Sequence, residues 1–245
     1  MPSRVLPGWH FFWRKIMNLP ISDRLLACAG FVAPGERVAD IGCDHGYLGI
    51  YLLQKNIARF VIASDIRPQP LQSAVRNAAK YGVSDRMSFH LSDGAADIPR
   101  DFDTLVCAGM GADTMVSILE AAPWLKDRRY RLILQCQSKT PLLRTYLSRQ
   151  GWRIAEESVL RDGRFLYTVM EVWYQPDYPR LTEAEAHFPP ALLENPSKEV
   201  PAYYQWVVGG IALAAAHQPE KKPLLDALEA LSQIPELTWL KEETT

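Results

Sequence analysis

Between Ser22 and about Tyr174, short β-branched apolar runs alternate with amphipathic stretches, and that alternation confines the chain to a sheet assembled from βα units. The runs are Arg37 to Ile41, Phe60 to Asp65, Met87 to Leu91, Thr104 to Cys107, Arg131 to Gln135, Trp152 to Val159 and Phe165 to Trp173. The first five are short, apolar throughout and each followed by helix-like sequence, the pattern of parallel strands covered on both faces. The last two are separated only by Arg161, Asp162, Gly163 and Arg164, too little chain for a crossover helix, and so predict an antiparallel hairpin. Ser22 reads as the N-cap of a helix carrying Leu25, Leu26 and Ala29 that ends before Pro34 and Gly35.

Two prolines within Gln175 to Pro179 close the sheet unit. Beyond them, Leu224, Leu228 and Leu231 recur at helical spacing, and Tyr203, Trp206, Val207, Gly210 and Ile211 mark another helix, predicting a helical hairpin or short coiled-coil arm. The expected organisation is an extension over residues 1–20, a sheet domain over 21–176 and a helical domain over 177–245. Residues 177–245 hold 5 basic and 11 acidic residues, a net of −6 that leaves +5 for the rest of a chain whose total is −1. A mildly basic front part is compatible with a polyanionic partner, and equally with uneven charge on solvated faces. With 48% hydrophobic and 22% charged residues, disorder as the main state is excluded. Cys28, Cys43, Cys107 and Cys136 form no CxxC pair and have no histidine at metal-binding spacing, so reduced thiols in a cytoplasmic, metal-free protein are expected. Near the N-terminus, Arg4, Arg14 and Lys15 surround Trp9, Phe11, Phe12 and Trp13. Pro2 and Pro7 interrupt any signal-like apolar run there, and no later segment has membrane-spanning length.

The strongest local signal is Val38-Ala39-Asp40-Ile41-Gly42-Cys43-Asp44-His45-Gly46-Tyr47-Leu48, a strand running into a glycine-punctuated turn and then a helix. A diphosphate cradle presents backbone N–H groups and a positive helix terminus to negative charge, and carboxylates at Asp40 and Asp44 would repel such a ligand. A donor bearing a sulfonium and an ammonium, as S-adenosylmethionine does, suits them instead. The second strand ends in Asp65, placed to hold a ribose hydroxyl pair, and the third ends Ser92-Asp93-Gly94, where Asp93 can accept from an adenine amine. Each acid alone also reads as a helix cap. A nicotinamide-binding oxidoreductase shares the ribose acid but neither the Asp40 and Asp44 pair nor the terminal hairpin.

At Ile21-Ser22-Asp23-Arg24-Leu25, the glycine loop, Ser92-Asp93-Gly94, Ala108-Gly109-Met110-Gly111, Leu132-Ile133-Leu134-Gln135, Leu143-Arg144, Gly151-Trp152 and Phe188-Pro189-Pro190, the chain resembles the TrmK family of bacterial tRNA methyltransferases. The resemblance covers most of residues 21–210. It implies a class I, Rossmann-like methyltransferase fold of seven strands with the last antiparallel, and a helical C-terminal domain. It also implies S-adenosylmethionine as donor and N1-methylation of the adenosine at tRNA position 22. Together with the residues themselves, it gives Asp40, Gly42, Cys43, Asp44, Gly46, Asp65, Ile66, Asp93, Gly94, Ala108 and Gly109 as candidate cofactor-binding positions. Asp44, His45 and Met110 are the catalytic candidates, and Gly111, Gln135, Arg67 and Arg144 the substrate-binding ones. The chain departs from the family with Cys43 for Ser, Gly46 for Ala, Gly49 for Pro, Asp65 for Glu, and Cys136-Gln137 for Pro-Asn. The last pair bears on how the target base is gripped.

Adenine N1 carries an unprotonated lone pair near neutral pH, so transfer to it needs positioning and charge management more than a strong base. The fourth strand ends Cys107-Ala108-Gly109-Met110-Gly111, without the Asn or Asp followed by Pro-Pro-aromatic of exocyclic-amine methylases. Gly109 and Gly111 read either as room for a flipped base against Met110 or as a plain strand-to-helix turn. Asp44 is expected to face the cationic adenine, and His45 to act as catalyst or as support. Duplex contacts are expected from Arg67, Arg76, Arg128, Arg129, Arg144, Arg149 and Arg153, with the tail clamping tRNA through Lys198, Lys221 and Lys222. A monomer is expected. A non-catalytic, S-adenosylmethionine-responsive RNA-binding module is the alternative of a different class.

Overall fold

The computed structural model describes residues 19–241; the readings of Arg4, Arg14, Lys15 and their aromatic neighbours lie outside them. The chain runs α1 (Asp23–Phe31), β1 (Glu36–Ile41), α2 (Tyr47–Gln54), β2 (Ala58–Asp65), α3 (Pro68–Lys80), β3 (Met87–Leu91), β4 (Thr104–Met110), α4 (Ala112–Ala121), β5 (Arg131–Cys136), α5 (Thr140–Arg149), β6 (Trp152–Asp162) and β7 (Phe165–Tyr174). It continues with α6 (Glu183–His187), α7 (Ala191–Glu194), α8 (Val200–Ala215) and α9 (Lys222–Leu231). Ser22 caps α1, its Oγ accepting the Leu25 N–H at 3.4 Å.

The seven strands form one sheet in the order β3-β2-β1-β4-β5-β7-β6, with β7 antiparallel to both neighbours. Reversal between β1 and β4 leaves a crevice at the carboxyl ends of the central strands, where open α/β sheets bind ligands. The buried apolar faces form two layers. Ile41, Leu105, Leu132 and Met115 belong to one; Val38, Val61, Leu52 and Ile133 to the other. Leu19 and Ile21 are buried in the second layer, so the expected extension over 1–20 ends in core contacts.

In the β4–β5 ladder the register shifts between Ala108 and Met110, leaving Gly109 as a bulge. In the β6–β7 ladder it shifts between Ile154 and Glu156, and past that point Glu157 pairs with Met170, on the face of Trp152 and Ile154.

The C-terminal helices differ from a projecting coiled-coil arm. α7 and α8 pack on β6, α6 packs on α5, and α9 packs on α8 and α6. At 10 residues α9 is too short to sustain a heptad seam. Their attachment centres on Arg144, which is fully buried rather than a surface tRNA contact. Its Nε and Nη2 donate to Glu157 (2.7 Å for the shortest), Nη1 donates to the carbonyls of Ala186 and His187 (both 3.0 Å), and Nη2 also donates to the Tyr203 hydroxyl (3.1 Å). All five guanidinium donors are thereby used. Among the described residues, no helix is long and apolar enough to cross a membrane, and no His, Cys, Asp and Glu cluster suits a metal ion.

Candidate active site

A cavity of about 550 Å³ opens at the ends of β1, β2 and β4. The glycine loop between β1 and α2 lines one wall, and three of its backbone N–H groups are already spent. Cys43 donates to the Ser64 carbonyl (2.8 Å), Asp44 to Asp65 Oδ2 (3.2 Å) and Gly46 to the Cys43 carbonyl (2.7 Å). Those three groups are therefore not available to cradle a diphosphate. Asp65 is a brace as well as a wall, because its Oδ1 accepts the Arg67 N–H at 2.9 Å.

Asp40, at the end of β1, is 3% exposed, and its Oδ2 has no hydrogen-bond partner among the described residues. Burial pushes its carboxyl up to about 7, a backbone hydrogen bond at Gly49 pulls it back, and the Asp65 charge raises it further. In the unfolded chain an aspartate titrates near ~4. The folded value lies higher, so the stability Asp40 contributes to the ligand-free protein is full below the unfolded value and is lost as pH rises from there through about 7. A buried carboxylate oxygen with no partner fits a cationic ligand group, and the three acids Asp40, Asp44 and Asp65 around the loop reinforce that fit.

Opposite the loop stands the end of β4. Gln135 is fully buried, and its Oε1 accepts the Gly109 N–H (3.0 Å) while its Nε2 donates to the Cys136 carbonyl (3.2 Å). The side-chain amide thus replaces the lost ladder bond and fixes the bulge. Gly109 has φ of +79°, a left-handed conformation that favours glycine. The bulge turns Met110 across the cavity, and its Cε occupies the space that a Cβ on Gly42 would take. A side chain at 42 would displace that flexible end, and φ of +70° there itself favours glycine.

Of the sequence candidates, Asp40, Gly42, Cys43, Asp44, Asp65, Ile66, Arg67, Asp93, Gly94, Ala108, Gly109, Met110 and Gln135 line this cavity. His45, Gly46, Gly111 and Arg144 do not. His45 is exposed, its Nε2 3.6 Å from Asp44 Oδ2 and its ring 5.6 Å from that of Tyr47, and its carbonyl accepts from Asn77. Gly46 packs on Ala74, where a Cβ would come within 2.9 Å. Gly111 stands against Ser138, whose Oγ is 2.8 Å from its missing Cβ, so its lack of a side chain lets the two loops approach. Gln135 lines the cavity, and its side-chain amide is bonded to the backbone of Gly109 and Cys136. Sequence reading missed Ser92, Thr114 and Ser117 as cavity residues, and it tied Gln137, which also lines the cavity, only to the grip on the target base. Ser92 had a signal, since it stands beside Asp93, and its Oγ organises that turn by donating to the Gly94 carbonyl (3.0 Å) and accepting the Asp97 N–H (3.0 Å). The four cysteines are free and buried, and burial raises each thiol, Cys107 to about 12.

The family model for the methyltransferase domain matches residues 21–170, from the start of α1 to within β7. The chain belongs to the methyltransferase-domain family. Within it, the chain is 32% identical over 154 residues to the tRNA (adenine(22)-N(1))-methyltransferase of Bacillus subtilis, a match spanning 62% of this chain and 65%, just under two thirds, of that relative. A candidate tRNA (m1A22) methyltransferase from Streptococcus pneumoniae shares the fold with a TM-score of 0.77 and 28% identity, covering 89% of this chain and 99% of that one. The same protein in complex with S-adenosyl-L-methionine gives a TM-score of 0.77 at 27% identity, covering 86% and 98%. The TrmK resemblance read from the residues is borne out by these relatives.

Proposed function

We propose that the protein transfers a methyl group from S-adenosylmethionine to N1 of an adenosine in tRNA, at the position corresponding to nucleotide 22, as a cytoplasmic monomer. The observation that carries the reading is the buried Asp40 carboxylate with an unpartnered oxygen at the floor of an acid-lined cavity. The relatives' activity supports the choice of acceptor.

S-adenosylmethionine, when bound, supplies a methyl group activated on a cationic sulfur. Asp40 and Asp44 answer its positive charges, Asp65 accepts from ribose hydroxyls, and Asp93 accepts from the adenine amine. Ile66, 59% exposed, offers an apolar surface beside them. The Gly109 bulge and Met110 form the opposite wall and exclude water from the line of transfer. Asp44 lies half-exposed in the loop between donor and acceptor, where its carboxylate stabilises the positive charge that N1-alkylation places on adenine. Arg67, with a side chain 71% exposed at the cavity rim, is placed to meet a phosphate, and Arg76, Arg128 and Arg149 are exposed as well. Lys221 and Lys222 are paired with Glu183 and Asp226, so the tail holds RNA by shape more than by those charges.

Incubation with S-adenosylmethionine and unmodified tRNA, followed by nucleoside analysis, is expected to yield 1-methyladenosine, and to yield none from a transcript carrying guanosine at position 22. Absence of methyl transfer to any adenosine would overturn the reading. The Asp40 carboxyl gives an independent handle. Only its ionised form attracts a cation, so with a value of about 7 the S-adenosylmethionine dissociation constant is expected to be about tenfold weaker at pH 6 than at pH 8. Calorimetry on Asp40→Asn should show weak binding without that slope; an unaltered slope would remove Asp40 from the ligand.

A further inference from the structure

We infer that Gln137 is the residue that selects adenine, reading the N6 and N7 edge of the target base with its side-chain amide; this rests on the proposed adenine-N1 transfer. Gln137 follows β5, lines the cavity, and has a side chain without a hydrogen-bond partner among the described residues. It contrasts with Gln135 two residues earlier, whose amide is wholly occupied. The Gln137 Nε2 lies 3.6 Å from where a Cβ on Gly109 would be, so the amide stands over the bulge with no side chain between.

Its backbone is held firmly. The Gln137 N–H donates to the Met110 carbonyl (2.8 Å), and the Ala112 N–H donates to the Ser138 carbonyl (3.1 Å). Lys139, at φ of +58°, places its Nζ 2.7 Å from Asp113 Oδ2. Three links thus clamp the loop after β5 to the loop after β4, and the absent side chain at Gly111 lets them close. A specificity contact needs such a fixed origin, because a free amide on a mobile loop costs entropy each time it binds.

The chemistry of the acceptor selects the partner. If N1 is to receive the methyl group, the Watson–Crick side must stay open to the donor, and the base is gripped by its remaining polar edge. Adenine presents an N6–H donor beside an N7 acceptor there, and a carboxamide matches the pair with one acceptor and one donor. Guanine presents two acceptors, leaving the amide oxygen unmatched.

Gln137→Leu removes both bonds at an exposed position, so the variant is expected to fold and to bind S-adenosylmethionine as the unaltered protein does, by thermal unfolding and calorimetry. Its kcat/KM for tRNA is expected to fall about 10- to 100-fold. The deciding probe is tRNA with 7-deaza-adenosine at the target position, which lacks N7. The unaltered protein should lose activity on it, and Gln137→Leu should lose no more than it already has. Equal 7-deaza penalties in both proteins, or an undiminished kcat/KM in Gln137→Leu, would overturn the role of Gln137 while leaving the methyltransferase reading intact. No transfer to adenosine by the unaltered protein would overturn both.

Discussion

Arg144→Ala is expected to destabilise the fold by about 3–5 kcal/mol, the range for removing one partner of a buried ion pair. The cost comes less from the lost attraction than from what remains. Glu157, 1% exposed, keeps a charge with no counter-ion, and the carbonyls of Ala186 and His187 lose their donor. Urea denaturation measures the loss. The companion variant Arg144→Met with Glu157→Leu should recover most of it, because neither charge is then stranded. Tyr203→Phe should cost about 1 kcal/mol, the value of one hydrogen bond. A loss below about 1 kcal/mol in Arg144→Ala would mean that the tail is held by its apolar contacts alone. The same geometry makes removal of residues 177–245 a poor test of RNA clamping, since it strips Arg144 of three acceptors inside the core.

Asp44→Asn is expected to lower kcat by about a hundredfold or more while changing the S-adenosylmethionine dissociation constant only a few-fold. Asparagine tolerates the left-handed backbone at this position, where φ is +49°, so the loop keeps its shape and only the charge is lost. The Asp44 N–H bond to Asp65 also survives. Single-turnover methyl transfer with calorimetry on the same preparation separates the two quantities. An unchanged kcat would assign the management of adenine charge to another group.

The strand pattern and the glycine loop were legible because each depends on neighbours close in sequence. Runs such as Phe60 to Ala63 and Leu132 to Leu134 need only be apolar on both faces, and the hairpin needed only a short gap. The strands run a few residues further than the apolar runs. Arg161 and Asp162 continue the ladder opposite Leu166 and Phe165, where polarity had read as turn. What escaped depends on contacts across the fold. Arg144 looked like a surface cation because α5 has one apolar face in sequence, and nothing local reveals that α6 covers another side. Its partner was hidden too. Strict alternation along β6 would place Glu156 with Trp152 and Ile154, and the bulge moves Glu157 there instead. Gly109 and Gly111 were indistinguishable by spacing, yet one makes the bulge and the other lets Ser138 approach.

The clamp between the loops after β4 and β5 limits how acceptor preference can be altered. A graft of residues 109–112 alone would leave the Gln137 N–H or the Ser138 carbonyl facing a backbone of different shape. Recruiting this scaffold to a different nucleobase therefore calls for exchanging the two segments as a single cassette, inherited or engineered together.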